Sequence, residues 1–282
     1  MTRMKTKKKT KIKPRKKSLP WFIWLAIALG IIAVVAFICM FLTNGPVGLN
    51  WSREPKAVII DQLYNLQPNY AFISEATKQL EDYGFEVDLY HGDEVSVDLY
   101  RKLPSFGYQL IILRTHSGLL NHETDSGREI TRATCIFTNE EYSEIKHIKE
   151  QLNGELARAR IGPDYPIVFG IGARFVKHSM RSDFNGSVII VMGCNGITLS
   201  DLASAFSDKG VSLYLAWDGL VDLHYLDKAG LELLKNMLTD DTTIGNAVDN
   251  TMESIGPDPD YGAILKYFPL AARDKTIRQK IE

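Results

Sequence analysis

The feature that most constrains this chain is an uncharged, apolar segment at residues 21–43. Its 23 residues are enough for a helix to cross the hydrocarbon core of a bilayer, which is roughly 30 Å thick. The preceding residues 1–20 carry ten Lys and Arg residues and no acid, and such a basic flank stays in the cytoplasm. We therefore predict a basic cytoplasmic tail, one transmembrane anchor in the cell membrane, and a main domain outside the cytoplasm.

Two other interpretations of this region are weaker. A cleaved signal peptide ends in a small-x-small site, whereas residues 37–40 are the bulky sequence Phe-Ile-Cys-Met. Basic runs also bind nucleic acid or anionic lipid, but membrane topology is the ordinary explanation for basic residues directly before a span. We expect the membrane as the partner of this region and no nucleic acid.

The rest of the chain divides into a linker and a domain. Residues 44–55 contain two glycines and two prolines without helical or strand periodicity, which predicts a stalk. Residues 56–282 suit one large domain with its own core. Without the tail, the chain has 23 Lys and Arg residues against 34 Asp and Glu residues, a formal charge of −11.

Short apolar runs alternate with helical periods along the domain. Residues 57–60, 109–113 and 188–192 are nearly continuous apolar runs, which is typical of strands buried in a parallel sheet. Residues 72–84 show a helical period that ends at a glycine. The alternation predicts an α/β fold, with a mostly parallel sheet and helices on both faces. In such sheets, active residues lie just past the carboxyl ends of the strands.

Two of these strand ends carry reactive side chains. The run at 109–113 leads into His116, and the run at 188–192 leads into Cys194, each with a glycine nearby. A thiol and an imidazole at neighbouring strand ends suit acyl transfer, because the thiolate attacks while the imidazole takes up or shuttles the proton. Taken singly, each residue has an ordinary alternative: a buried apolar cysteine or a histidine with satisfied hydrogen bonds.

The pattern resembles the caspase-like cysteine peptidases, and most nearly the CHAT and gingipain domains. In that family one apolar strand ends in His-Gly, and a later apolar strand ends in Ala-Cys or Gly-Cys. Residues 111–116 read Ile-Ile-Leu-Arg-Thr-His, and residues 188–194 read Val-Ile-Ile-Val-Met-Gly-Cys. Residues 202–248 are also similar to the region after the family's cysteine. The resemblance implies a caspase-like fold and endopeptidase activity toward polypeptides.

By this resemblance, His116 is the general base and Cys194 is the nucleophile. The backbone N–H groups of Cys194 and Gly118 would form the oxyanion hole. The chain departs from the family at Ser117, because glycine usually follows the histidine directly. The spacer of 78 positions between His116 and Cys194 is also longer than most of these families use.

We interpret residues 119–185 as an insertion that accounts for the long spacer. We predict a hairpin or loop at about 132–138, a helix at 139–160 and a short apolar piece at 167–175. The sequence does not choose among three roles for this insertion: a lid, a partner surface or a self-cleaved linker.

Two charged residues are candidates for substrate binding. In the resembling families, the neighbourhood of Asp218 helps to line the pocket for the residue before the cleaved bond. A carboxylate there predicts a preference for Arg or Lys, and the alternative is a turn acid in Asp-Gly. Arg114 shares one side of a strand with His116, and in the cleft it would favour Asp or Glu instead.

Cys135 and Cys194 are the two cysteines that follow the apolar segment. Such a pair in an exported domain can form a disulfide, which would remove the nucleophile. The position of Cys135 in the insertion favours free thiols. The other histidines lack the spacing of a metal site, so we expect neither a metal nor a cofactor.

Together these features predict a membrane-anchored, caspase-like cysteine endopeptidase that acts near the outer membrane face. Two other classes stay open: a non-catalytic caspase-like domain that binds a partner in the same cleft, and a doubly wound ligand-binding or sensory domain. Of the three, the enzyme alone needs His116 and Cys194 within about hydrogen-bond reach.

Overall fold

The computed structural model describes Gly30 and residues 55–123 and 129–281. Arg53–Glu282 group as one compact unit. Apart from Gly30, the predicted tail, anchor and stalk up to residue 54 lie outside the described residues. Within the part of the chain that is described, we find no helix with both the length and the apolar character needed to span a bilayer.

Strands alternate with helices through most of the domain. The strands are β1 (Lys56–Asp61), β2 (Glu86–His91), β3 (Leu110–Arg114), β4 (Ser117–Glu123), β5 (Glu129–Glu141), β6 (Leu156–Ala159), β7 (Val168–Gly172), β8 (Val188–Met192), β9 (Leu213–Trp217) and β10 (Leu265–Phe268). The helices are α1 (Tyr70–Tyr83), α2 (Val97–Lys102), α3 (Ile148–Leu152), α4 (Ala173–His178), α5 (Asp201–Asp208), α6 (Leu223–Met237), α7 (Ile244–Ile255) and α8 (Arg278–Ile281). Short 3-10 turns lie at Gly92–Glu94, Leu103–Phe106 and Leu270–Ala272.

The main sheet has six strands in the order β10-β9-β8-β3-β1-β2. All neighbouring strands are parallel except β10, which runs antiparallel to β9 at the edge. Every residue of β3, β8 and β9 is buried, as their continuous apolar runs require for strands covered on both faces. The predicted α/β fold with a mostly parallel sheet is confirmed.

Helices cover both faces of this sheet. One face packs against α1, α6 and α7, and the other against α2, α4 and α5 together with part of a second sheet. The predicted amphipathic helix α1 shows why the sequence folds this way. Asn69 accepts a hydrogen bond from Phe72 N at its start, and Gly84 ends it in the left-handed conformation at φ 107°. Its buried face includes Ala76 and Leu80.

A second, antiparallel sheet occupies the region predicted as an insertion, with strands in the order β4-β5-β7-β6. The predicted helix at 139–160 is wrong, because β5 continues to Glu141 and only Ile148–Leu152 is helical before β6. The predicted hairpin or loop at 132–138 lies within β5, which pairs antiparallel with β4 to form a longer hairpin. Pairing of β5 and β6 with β7 outweighs the helical propensity of this Glu- and Lys-rich stretch.

Candidate active site

The register of the main sheet brings the ends of β3 and β8 together. Arg114 is paired with Met192, and Thr115 N donates to Met192 O at 2.9 Å. His116 and Cys194 each lie two residues beyond this pair. The sheet therefore places the imidazole and the thiol at equivalent positions past two neighbouring strands, where parallel sheets present their active residues.

Gly193 allows the two chains to approach at this point. A Cβ atom on Gly193 would lie 2.3 Å from Thr115 O and 2.5 Å from Ser117 Oγ. Ser117 Oγ in turn donates to Cys194 O at 2.5 Å. Ser117 thus ties the histidine segment to the cysteine segment.

His116 and Cys194 line one cleft of about 430 Å³. Its walls come from the β3–β4 connection, β4, β5, the end of β6, the loop after β8 and the loop after β9. The lining residues are His116, Ser117, Gly118, Leu119, Leu120, Cys135, Phe137, Arg158, Ala159, Arg160, Ile161, Cys194, Asn195 and Leu220. The cleft therefore joins both sheets at the predicted reactive residues.

His116 is half-buried in this cleft. Its backbone N–H donates to Gln62 Oε1 at 2.9 Å, and its ring lies 6.1 Å from the Phe137 ring between centroids. Burial, together with the positive charge of Arg114, lowers the pKa of His116 to about 4. The imidazole is neutral at pH 7 and can accept a proton.

Cys194 is half-buried and packs at the edge of the core that contains α1, α6 and α7. Burial raises the pKa of its thiol, the backbone of Val221 opposes this shift, and the Asp258 carboxylate adds to it. The thiol donates to Val221 O at 3.8 Å. Both His116 and Cys194 are described residues, and no hydrogen bond joins their side chains in this conformation.

The two candidate oxyanion donors differ in their surroundings. Gly118 lies in β4 and is paired with Cys135 in the antiparallel β4–β5 ladder. Among the described residues, we find no acceptor for the backbone N–H of Cys194. Asn195, which follows it, has a φ of 56° and donates its N–H to Gly219 O at 2.7 Å. Of the two candidate donors, the Cys194 N–H is therefore the one without an acceptor among the described residues.

Arg114 lies away from the cleft lining, with 1% of its surface exposed. Its Nε donates to Asp227 Oδ1 at 2.7 Å, and its Nη1 donates to Asp61 Oδ1 at 2.9 Å. Its Nη2 donates to Asp227 Oδ2 at 2.9 Å and to Gln67 O at 3.1 Å. All three guanidinium nitrogens are therefore engaged within the chain. Strand β3 ends at this residue, so alternation along a strand does not carry Arg114 to the side of His116.

Asp218 also has partners within the chain. Its Oδ1 accepts a hydrogen bond from Ile264 N at 2.9 Å, and Lys266 Nζ lies 2.6 Å from its Oδ2. Asp218 is not among the described residues that line the cleft. The residue links β9 to the chain before β10, as an acid in a turn does.

Cys135 lines the same cleft as Cys194, and both thiols are free. Cys135 is buried on β5, where it is paired with Gly118 of β4. Burial and the nearby Asp201 carboxylate raise the pKa of the Cys135 thiol to about 12. Of the two cysteines, Cys194 is therefore the more accessible and the more easily deprotonated.

A larger cleft of about 660 Å³ shares Ile161 with the first. Its lining includes several acids, but Lys146 and His147 pair with Glu140, and Arg101 pairs with Asp98. Ser96 in its wall caps α2 by accepting from Leu99 N. Among the described lining residues, none pairs a nucleophile with a base, so the catalytic candidates stay in the smaller cleft.

The fold and the site together define a structural class of protein. It is an α/β domain whose mostly parallel sheet presents a thiol and an imidazole at adjacent strand ends. A scan of the chain against protein-family models finds no match, and a comparison with curated proteins finds none.

The sequence predictions missed two arginines of the cleft, Arg158 and Arg160. They lie at the end of β6, which pairs only with β7 at the edge of the second sheet. The available signal was the alternation Leu-Ala-Arg-Ala-Arg at residues 156–160, which has the two-residue period of a strand. The predicted helix over this stretch concealed it.

Proposed function

We propose that this protein is a membrane-anchored cysteine endopeptidase of the caspase-like kind, with Cys194 as nucleophile and His116 as general base. One observation carries the proposal. The two residues occupy equivalent positions past adjacent parallel strands and line one cleft. This is where a parallel sheet places catalytic groups, and the pair supplies both the nucleophile and the base that acyl transfer requires.

The protonation states favour general-base catalysis over a preformed ion pair. Neutral His116 takes the thiol proton as the sulfur attacks the scissile carbonyl carbon. The proton then passes to the leaving amine, the C–N bond breaks, and a thioester remains on Cys194. Water attacks the thioester with His116 again taking a proton, which releases the acid and restores the thiol. The Cys194 N–H is the proposed donor to the oxyanion.

A peptide-cleavage assay tests this function with the full-length protein in detergent. Cys194→Ala and His116→Ala should each abolish cleavage of a peptide library, with unfolding transitions close to that of the wild type. Cys135→Ala is the matched control and should retain cleavage, because Cys135 is buried and less easily deprotonated. Cleavage by Cys194→Ala would refute the assignment of the nucleophile.

A non-catalytic binding domain is a second candidate, favoured by one observation. The Cys194 thiol contacts Val221 O instead of the His116 ring. Catalytic hydrogen bonds are often loose without substrate, so this contact does not by itself decide between the candidates. The binding candidate predicts that wild type and Cys194→Ala bind the same ligand equally and that neither cleaves it.

The proposed location follows from residues 1–43. Protease added to intact cells should digest the domain and leave the basic tail protected. Tags at the two ends of the chain, followed by immunoblotting before and after lysis, make this measurement. Protection of the domain in intact cells would contradict the outward orientation.

A further inference from the structure

The charged side chains among the described lining residues of the candidate catalytic cleft are all positive. Arg158 and Arg160 are the only Lys or Arg residues among its described lining residues, and none of those residues is Asp or Glu. This is unexpected in a domain whose sequence is acidic overall. Among the described lining residues, a ligand in this cleft therefore meets positive charge and no negative charge.

Both arginines are exposed and lack an acidic partner among the described residues. The Arg158 guanidinium lies 4.7 Å from the centroid of the Tyr142 ring. This contact orients the guanidinium without neutralising its charge. By contrast, Arg101 pairs with Glu150 at 2.8 Å, and Arg273 pairs with Asp249 at 2.8 Å. The two cleft arginines thus keep donors free for a ligand.

The positions of these arginines suit an extended acidic segment. Arg158 is in β6 and Arg160 directly follows the strand, and both line the cleft. Ala159 between them belongs to a small apolar cluster with Cys135 and Phe137. Exposed apolar side chains also border the cleft, at Ile161 and Leu220, which are 40% and 50% exposed. Basic and apolar walls therefore lie in the same cleft.

We infer that Arg158 and Arg160 make this cleft selective for polypeptide segments that carry Asp or Glu next to apolar residues. The inference rests on the proposed function and adds its substrate class. A carboxylate matches the planar donor fork of a guanidinium. This preference for acidic residues takes the place of the preference for basic residues predicted from Asp218, because Lys266 already pairs with Asp218.

Binding and cleavage of matched peptides separate this inference from the proposed function. Binding is measured by fluorescence anisotropy with full-length Cys194→Ala and two extended peptides of apolar residues, one with a central Glu and one with Gln. The Glu peptide should bind roughly 10-fold more tightly at low salt, and high salt should reduce this difference.

The preference should disappear when both Arg158→Gln and Arg160→Gln are present. Arg174→Gln is the matched control, since Arg174 is exposed on α4 and outside the cleft lining, and it should keep the preference. Equal binding of the Glu and Gln peptides, or no binding of either peptide, would overturn the inference. A preference for the Glu peptide that survives the double substitution would also overturn it.

Cleavage of the same peptides by the wild type then tests the proposed function separately. A preference for Glu in binding without any cleavage would refute the peptidase and leave the acidic selectivity standing. Cleavage of the Glu and Gln peptides at equal rates would support the proposed peptidase activity and overturn the proposed selectivity for acidic segments.

Discussion

The chain places arginines in two contrasting environments near His116. Arg114 is buried at the end of β3, and two carboxylates and a carbonyl oxygen hold its guanidinium. Arg158 and Arg160 are exposed at the end of β6 and have no acidic partner among the described residues. A buried and fully paired charge maintains a structure, whereas an exposed and unpaired charge is available to a ligand. Burial and pairing, rather than proximity to His116, separate the structural arginine from the two arginines proposed to bind a ligand.

The largest expected effect tests that contrast directly. Arg114→Met would leave the carboxylates of Asp61 and Asp227 buried without a counter-charge, and breaking a buried pair costs about 3–5 kcal/mol. Arg158→Met and Arg160→Met should each change the free energy of unfolding by less than about 0.5 kcal/mol. Denaturant unfolding of the three variants makes the comparison. A loss below about 1 kcal/mol for Arg114→Met would show that its pairing is not structural.

The next effect concerns the pKa of His116, which burial and the charge of Arg114 both lower. His116 has a pKa of about 4 when folded and about 6.5 when unfolded. Between these values the unfolded state binds more protons, so stability rises with pH across this window and is lost as pH falls. The loss from pH 6.5 to 4 should be about 3 kcal/mol.

This pH effect is measured as a difference between two proteins. Unfolding of wild type and of His116→Gln is followed across the same pH range, so that contributions from other groups cancel. The wild type should lose about 3 kcal/mol more than the variant. Parallel pH profiles for the two proteins would contradict a depressed pKa for His116.

A smaller effect is expected where β3 and β8 join the cleft. Gly193→Ala introduces a Cβ that would lie 2.3 Å from Thr115 O, and such overpacking costs about 1–3 kcal/mol. Gly118→Ala is the control for stability, because its Cβ would meet no atom within 4 Å. Thermal unfolding of both variants measures the difference in stability. Equal stability of the two variants would show that the ends of β3 and β8 are not tightly packed.

The smallest effect concerns Asp218. Asp218→Asn removes a partly exposed ion pair with Lys266, which is worth about 0–1 kcal/mol. The carboxylate is outside the described cleft lining. Its loss should therefore change the ratio of cleavage after basic residues to cleavage after neutral residues by less than about 3-fold. A lost contact worth about 1.4 kcal/mol would change that ratio about 10-fold. A selective loss of cleavage after Arg or Lys would restore Asp218 as the substrate-binding acid.

Much of the main sheet could be predicted from sequence because its strands are apolar throughout. β1, β3, β8 and β9 are buried on both faces, so burial alone specifies them. The second sheet is different, since β5 mixes polar and apolar residues and β6 is short and lies at an edge. Its strands depend on pairing between distant segments, and local composition does not reveal that pairing.

The candidate site divides in the same way. His116 and Cys194 follow apolar strands, so a general rule about strand ends located them. The location of Arg114 depends on Asp61 and Asp227, which are 53 and 113 positions away in sequence. Whether an arginine faces a cleft or a buried carboxylate is decided by such distant partners, and strand alternation cannot supply them.

The most direct measurement is the reaction of the full-length protein with a peptide that carries a thiol-reactive group, followed by mass mapping of the modified cysteine. The account predicts labelling at Cys194 and not at Cys135. It also predicts that His116→Ala slows the labelling by roughly 100-fold or more, because the general base is lost. Equal labelling of the two cysteines, or an unchanged rate in His116→Ala, would contradict a nucleophilic Cys194 that depends on His116.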